Sequence, residues 1–258
     1  MTNLPATQKS VRETLISLTS NGSLSSTLSE LLGDKKPQFL STLVSIINSD
    51  PKLIQVFYEN PLSILNIAIQ IVNLDLPLGN QFGFAYIVSR YNKRQGKNEA
   101  QLMLGYKGLL QMAIRSGKYK MIKVIAIHEG EISEIDHLSG EIKFKWNQDI
   151  RKRNSTPVIG YVGILKFLNG FTHQIFVTRE EIEEREKKFR QGQNQSAAWE
   201  SNFDSMAEKT VIKMMLSRYG YVGFGSSSIE QNSPDYDNIS SEIECMEDIN
   251  EETGEIIN

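Results

Sequence analysis

Residues 74–131 read LDLPLGNQFGFAYIVSRYNKRQGKNEAQLMLGYKGLLQMAIRSGKYKMIKVIAIHEGE, and this stretch decides the fold. The hydrophobic period changes after Gly79. Residues 82–91 and 100–106 are rich in strand-favouring side chains and bracket a polar loop, 91–98, which predicts a hairpin. Residues 107–116 return to helical spacing, with Leu109, Leu110, Met112, Ala113 and Ile114 apolar and Gly117 at the position of a helix C-cap. Gly105, or Gly108 just after it, permits a tight change from strand to helix. Residues 119–128 alternate once more, with Met121, Val124 and Ile125 among Lys118, Lys120 and Lys123.

The same stretch concentrates positive charge. Between Ile87 and Lys123 stand nine basic residues, Arg90, Lys93, Arg94, Lys97, Lys107, Arg115, Lys118, Lys120 and Lys123, against one acid, Glu99. Phe82, Phe84, Tyr86, Tyr91, Tyr106 and Tyr119 flank and interleave them. Cations neutralise phosphates and planar rings stack on bases, so the combination fits a sequence-tolerant binder of single-stranded nucleic acid. A solvated hairpin with its rings turned into the core meets the same pattern.

Working outward, residues 24–32 and 37–47 read as helices, and Asp50-Pro51 and Asn60-Pro61 as helix starts. Residues 61–72 carry Leu62, Ile64, Leu65, Ala68, Ile69 and Val72 at helical spacing. Downstream, 119–128 is expected to pair with 141–146, and 149–154 to form a basic loop. Residues 158–168 and 171–177 form a hairpin across Asn169-Gly170. Thr178-Arg-Glu-Glu181 is a capping box opening a helix over 179–189. A last long helix starts near Ala197 or Phe203 and ends at Gly220. The expected class is α+β: N-terminal helices, a central antiparallel β-sheet of five or six strands with hairpins, a late long helix and a disordered acidic C-terminal tail. The division is a flexible N-terminal arm over 1–22, a single domain over 23–224, and the tail over 225–258.

Composition narrows the function. Apolar residues make up 40% of 258, enough for a core, and no apolar run approaches the ~18 residues of a membrane span. The N-terminal MTNLPATQKSVRETL lacks a secretory segment. Cys245 is the single cysteine, so no intrachain disulfide forms and a cytoplasmic location is expected. The net charge of −3 hides an asymmetry: residues 225–258 hold ten acids and no Lys or Arg. Positions 1–224 then set 28 basic residues against 21 acids, a balance of +7. Such a tail competes with DNA for the basic surface, recruits a basic partner, or only adds solubility. The chain has no phosphate-binding GxxxxGK[ST] loop, no CxxC, no HExxH and no GxSxG. Neither ATP hydrolysis nor a bound cofactor is expected. His128, His137 and His173 are scattered, which argues against a zinc site.

The strings LDLPL, FGFAYIV, LGYKGLLQMAIRSGKYK and HEGE, with KKPQFLSTLVSIIN upstream and MAEKTVIKMMLSRYG ending at Gly220, resemble the RecT family of phage and prophage single-strand DNA annealing proteins. The resemblance implies an ATP-independent recombinase without covalent catalysis. It would work in a bacterial cytoplasm as a ring or helical filament on single-stranded DNA and the annealed duplex intermediate. It further implies as partners a phage 5′→3′ exonuclease and the host single-strand binding protein.

The candidate contacts are Arg90, Tyr91, Arg94, Lys97 and Gln101 on the hairpin, and Tyr106, Lys107, Arg115 and Lys118 around the following helix. Lys209 and Lys213, four residues apart on the late helix, join them with Arg218, and the resemblance favours the first two of these as DNA contacts. Arg151, Lys152 and Arg153 form a secondary patch. A rival reading takes Asp136, Glu141 and Lys143, spaced D-x4-E-x-K, as a Mg2+-dependent nuclease centre. A third is a coating protein that binds single strands without pairing them.

Overall fold

The computed structural model describes residues 9–20, 22–92, 95–136, 138, 140–190 and 196–222, apart from the side chain of Ser23. The acidic tail and Arg94 therefore lie outside the described residues. These residues divide into two compact units, one ending at Leu104 and the other beginning at Gly105.

The first unit holds α1 (Val11–Ser20), α2 (Ser23–Leu32), α3 (Lys36–Ser49), α4 (Pro51–Glu59), α5 (Pro61–Asn73) and the hairpin β1 (Ala85–Asn92) and β2 (Lys97–Leu104). The two Xaa-Pro junctions start helices as the sequence predicts. Asp50 accepts a hydrogen bond from the Lys52 amide at 2.7 Å, and Asn60 accepts one from Ser63 at 3.3 Å, each before a proline in the first turn. Ile64, Leu65, Ala68 and Ile71 of α5 are wholly buried, and α4 and α5 pack on the hairpin. Part of the expected arm is core: Val11, Leu15 and Thr19 are buried where α1 meets α3. Four-residue spacing lines up these side chains on one helix face, and packing against α3 overrides the polar composition around them.

The second unit holds α6 (Tyr106–Arg115), β3 (Tyr119–His128), β4 (Ile132–Asp136), β5 (Glu141–Phe144), α7 (Ile150–Ser155), β6 (Val158–Phe167), β7 (Thr172–Thr178), α8 (Arg179–Phe189), α9 (Ala197–Ser201) and α10 (Phe203–Tyr219). Among the described residues the single sheet of five or six strands is corrected to three sheets, β1-β2, β3-β6-β7 and β4-β5, all antiparallel. Strand β3 pairs with β6, while residues 141–144 pair with β4, which the sequence pattern hides. A register shift between Ile132 and Glu134 lets Ile132 and Ile135, three apart, oppose Phe144 and Ile142. That bulge abolishes the alternation by which a strand is recognised. The expected loop 149–154 is largely helix α7, capped by Asp149, which accepts from the amides of Arg151 and Lys152 at 3.0 and 3.3 Å.

Strand β6 is the centre of the second unit and is buried from Gly160 to Ile164 and at Leu165. On one face Tyr161 joins Val177, Ile182, Trp199, Met206, Ala207 and Val211 under α8, α9 and α10. On the other, Val162 and Ile164 join Ile127 and Ile142 under the β4-β5 hairpin. Gly163 leaves room for α10, because a Cβ built there runs into the side chain of Met215. Among the described residues no helix is long and apolar enough to cross a membrane.

Candidate nucleic-acid interface

In the first unit the hairpin register sorts the candidates by face. Arg90 opposes Glu99, Asn92 opposes Lys97 and Val88 opposes Gln101, while Tyr91 opposes Asn98. Directly opposed residues share a face and neighbours alternate, so Arg90, Lys97 and Gln101 stand on one side and Tyr91 on the other. Tyr91 is 63% exposed, and Lys97 is exposed beside it at the end of the hairpin. Arg90 is half-buried with Nη2 3.7 Å from the Met103 sulfur, and Asn92 donates to Glu99 at 2.7 Å.

In the second unit the first turn of α6 brings charge to an aromatic ring. Gly105 leads into Tyr106 and Lys107, and the ammonium of Lys107 lies 6.0 Å from the centre of the Tyr106 ring. The ammonium of Lys209, on α10, lies 5.6 Å from the same centre. Each separation is within cation–π range. Arg115 and Lys118 are exposed around the end of α6, where Gly117 takes the positive φ of 63° that a turn needs.

Other candidates are placed differently. Lys213 is only 5% exposed, apart from the half-exposed Lys209 one turn before it. Helix α10 meets β3, β6 and β7 as well as α6, so four-residue spacing does not keep both lysines at the surface. Arg218 is exposed and lies over Tyr219 with its guanidinium 5.8 Å from the ring centre. Arg151 and Lys152 are exposed on α7, but Arg153 reaches inward. Its guanidinium pairs with the buried Glu131 at 2.6 Å, donates to the Ala126 carbonyl at 2.8 Å and lies over Trp146. Burial acts to raise the Glu131 carboxyl, but Arg153 and the His128 amide outweigh it and hold the group below the usual carboxylate range.

Asp136, Glu141 and Lys143 sit in the β4-β5 hairpin. Asp136 opposes Glu141 and accepts from the Leu138 amide at 2.9 Å, while Lys143 pairs with Glu134 at 2.7 Å. Among the described residues no three His, Cys, Asp or Glu side chains gather as a metal site.

One group escapes sequence spacing. Tyr119 opposes Phe167 with ring centres 4.5 Å apart, Phe167 lies 5.6 Å from Phe171, and His173 lies 3.8 Å from Tyr219. Phe171 and His173 are nearly coplanar in orientation, at 3°, with centres 6.5 Å apart. The Tyr119 hydroxyl donates to the Tyr221 carbonyl at 2.9 Å and accepts from the Tyr221 amide. Burial pushes the His173 imidazole below its ordinary value. These rings come from β3, the end of β6, the β6-β7 turn, β7 and the end of α10, so only the tertiary fold collects them.

Comparison with known proteins adds the following. The model of the RecT family matches residues 37–246. An uncharacterised protein, YqaK, of Bacillus subtilis (strain 168) is 36% identical over 218 residues, covering 84% of this chain and 70% of that protein. Protein RecT of Escherichia coli (strain K12) is 25% identical over 163 residues, covering 60% of this chain and 56% of that protein.

Proposed function

The chain belongs to the RecT family of single-strand annealing proteins, and on that premise we propose that it pairs complementary DNA strands for homologous recombination without ATP hydrolysis. Arg90, Lys97, Lys107, Arg115, Lys118 and Lys209 contact phosphates, and Tyr106 positions the two ammonium groups beside it. The observation that carries this reading is the convergence of Lys107 and Lys209 on the Tyr106 ring, at 6.0 and 5.6 Å. Phosphate contacts hold a strand without reading its sequence and leave base edges free. Specificity then comes from the DNA itself, because each correctly stacked base-pair step contributes about 1.4 kcal/mol.

Annealing needs many such sites in series, so that a second strand tests its register against the first. An oligomer of this chain supplies them, as a ring or a helical filament. An exonuclease that exposes single strands supplies the substrate, and the host single-strand binding protein competes for it. The deciding experiment mixes two complementary labelled oligonucleotides with the protein, without ATP, and with Mg2+ present or chelated. The expected result is faster duplex formation with intact strands in both conditions. Binding without acceleration would leave a coating protein, and strands shortened only with Mg2+ would revive the nuclease reading.

A further inference from the structure

We propose that the aromatic strip at the end of the β3-β6-β7 sheet is a stacking platform for unpaired nucleobases, an inference that rests on the annealing function above. By strand alternation, Phe167, Phe171 and His173 lie on the sheet face that α10 covers. The helix stops at Tyr219, and the strip runs on beyond it. Phe171 is left 55% exposed and Tyr219 38%. A contiguous set of half-exposed rings is a binding surface rather than core, since scattered apolar residues do not line up in mutual contact. These rings are held by one another and by the sheet, so a base that stacks on them does not have to order them first.

The surrounding charge selects the occupant. Lys118 and Lys120 are exposed on either side of Tyr119 in the chain, and Arg218 lies over Tyr219; Lys166, opposite Thr172, stands on the other face of the sheet. A second copy docking by two-fold symmetry would bring the first three cations toward each other. A single strand brings a ring for each aromatic face and a phosphate for each cation. Pyrimidines and purines both have a π-face, so the platform tolerates any sequence, as annealing requires.

The test compares binding of the full chain to an oligodeoxythymidylate and to an abasic deoxyribose-phosphate oligomer of equal length, by fluorescence anisotropy at one salt concentration. Wild type should bind the base-bearing strand more tightly. Phe171→Ala should weaken that binding about fivefold or more, the lower end of a base–aromatic stack, and leave the abasic affinity unchanged. Phe171→Trp should keep the preference, with tryptophan emission quenched by the thymidylate strand and not by the abasic one. An equal loss on both strands, or no loss on either, would overturn the platform while leaving DNA binding in place. Failure of wild type to bind either strand would instead overturn the functional reading beneath it. A change in oligomeric state of Phe171→Ala, measured by sedimentation, with base preference intact, would reassign the strip to subunit contact.

Discussion

Replacing Lys107 and Arg115 together by alanine isolates the phosphate contribution of α6. The two residues lie eight positions apart at opposite ends of this helix. At 1.5 Å rise per residue they are separated by about 12 Å along its axis, too far to share one phosphate. Each contact with a single strand contributes about 0.7 to the slope of log K against log salt. Losing two should therefore flatten the slope by about 1.4. Over a tenfold range of salt, the ratio of wild-type to variant affinity should shrink by a factor of about 25. The assay is anisotropy of a labelled oligodeoxythymidylate across a salt series, with far-ultraviolet circular dichroism to verify the fold. A second oligonucleotide of mixed sequence should give the same slope change, because phosphates carry no sequence. Parallel lines for the two proteins would refute the reasoning, even if the variant bound more weakly at every salt. That result would mean the affinity was lost through structure or stacking rather than through charge.

Lys209→Ala should flatten the same slope by about 0.7, whereas Lys213→Met should leave the slope unchanged, because only the former lysine offers surface to solvent. Gly163→Ala should destabilise the second unit by about 1–3 kcal/mol in urea unfolding, since the new methyl group must displace Met215 or shift α10. Glu131→Gln should cost about 3 kcal/mol, the lower end for breaking a buried ion pair, because Arg153 keeps some contact with water. The Glu131 carboxyl lies below its unfolded value, so its stabilisation is present above the unfolded carboxylate value and lost as pH falls through the folded one. Wild type should therefore lose more stability than Glu131→Gln between about pH 5 and pH 2, measured by thermal melts.

Local chemistry was readable where one short segment contains the whole signal. Asp50-Pro51, Asn60-Pro61 and the Thr178–Glu181 capping box each place donor and acceptor within three residues, and the structure has all three. The Asn169-Gly170 turn joins β6 and β7, with Gly170 at φ 91°. Pairing of distant strands was not readable. Strand β3 skips β4 and β5 and joins β6, a choice made by burial on both faces of β6. No residue within β3 records that choice, because its alternation suits either partner.

The candidate site divides along the same line. A lysine or arginine in a polar turn or at the end of an element reads as surface, and Lys97, Arg115 and Lys118 are exposed. A basic residue on an enclosed element does not, because its fate depends on what packs around it. Helix α10 buries Met206, Ala207, Thr210, Val211, Lys213, Met215 and Leu216, which together cover most of its circumference. A helix surrounded in this way has no single polar stripe, so the four-residue rule that places Lys209 and Lys213 on one side says nothing about solvent. Arg153 makes the same point through a partner: Glu131 stands 22 residues earlier, behind a hairpin. For a chain that binds a polyanion, counting basic residues therefore overstates the interface. The cations that count are those the fold leaves at the surface, and here several stand beside rings that the fold also leaves open.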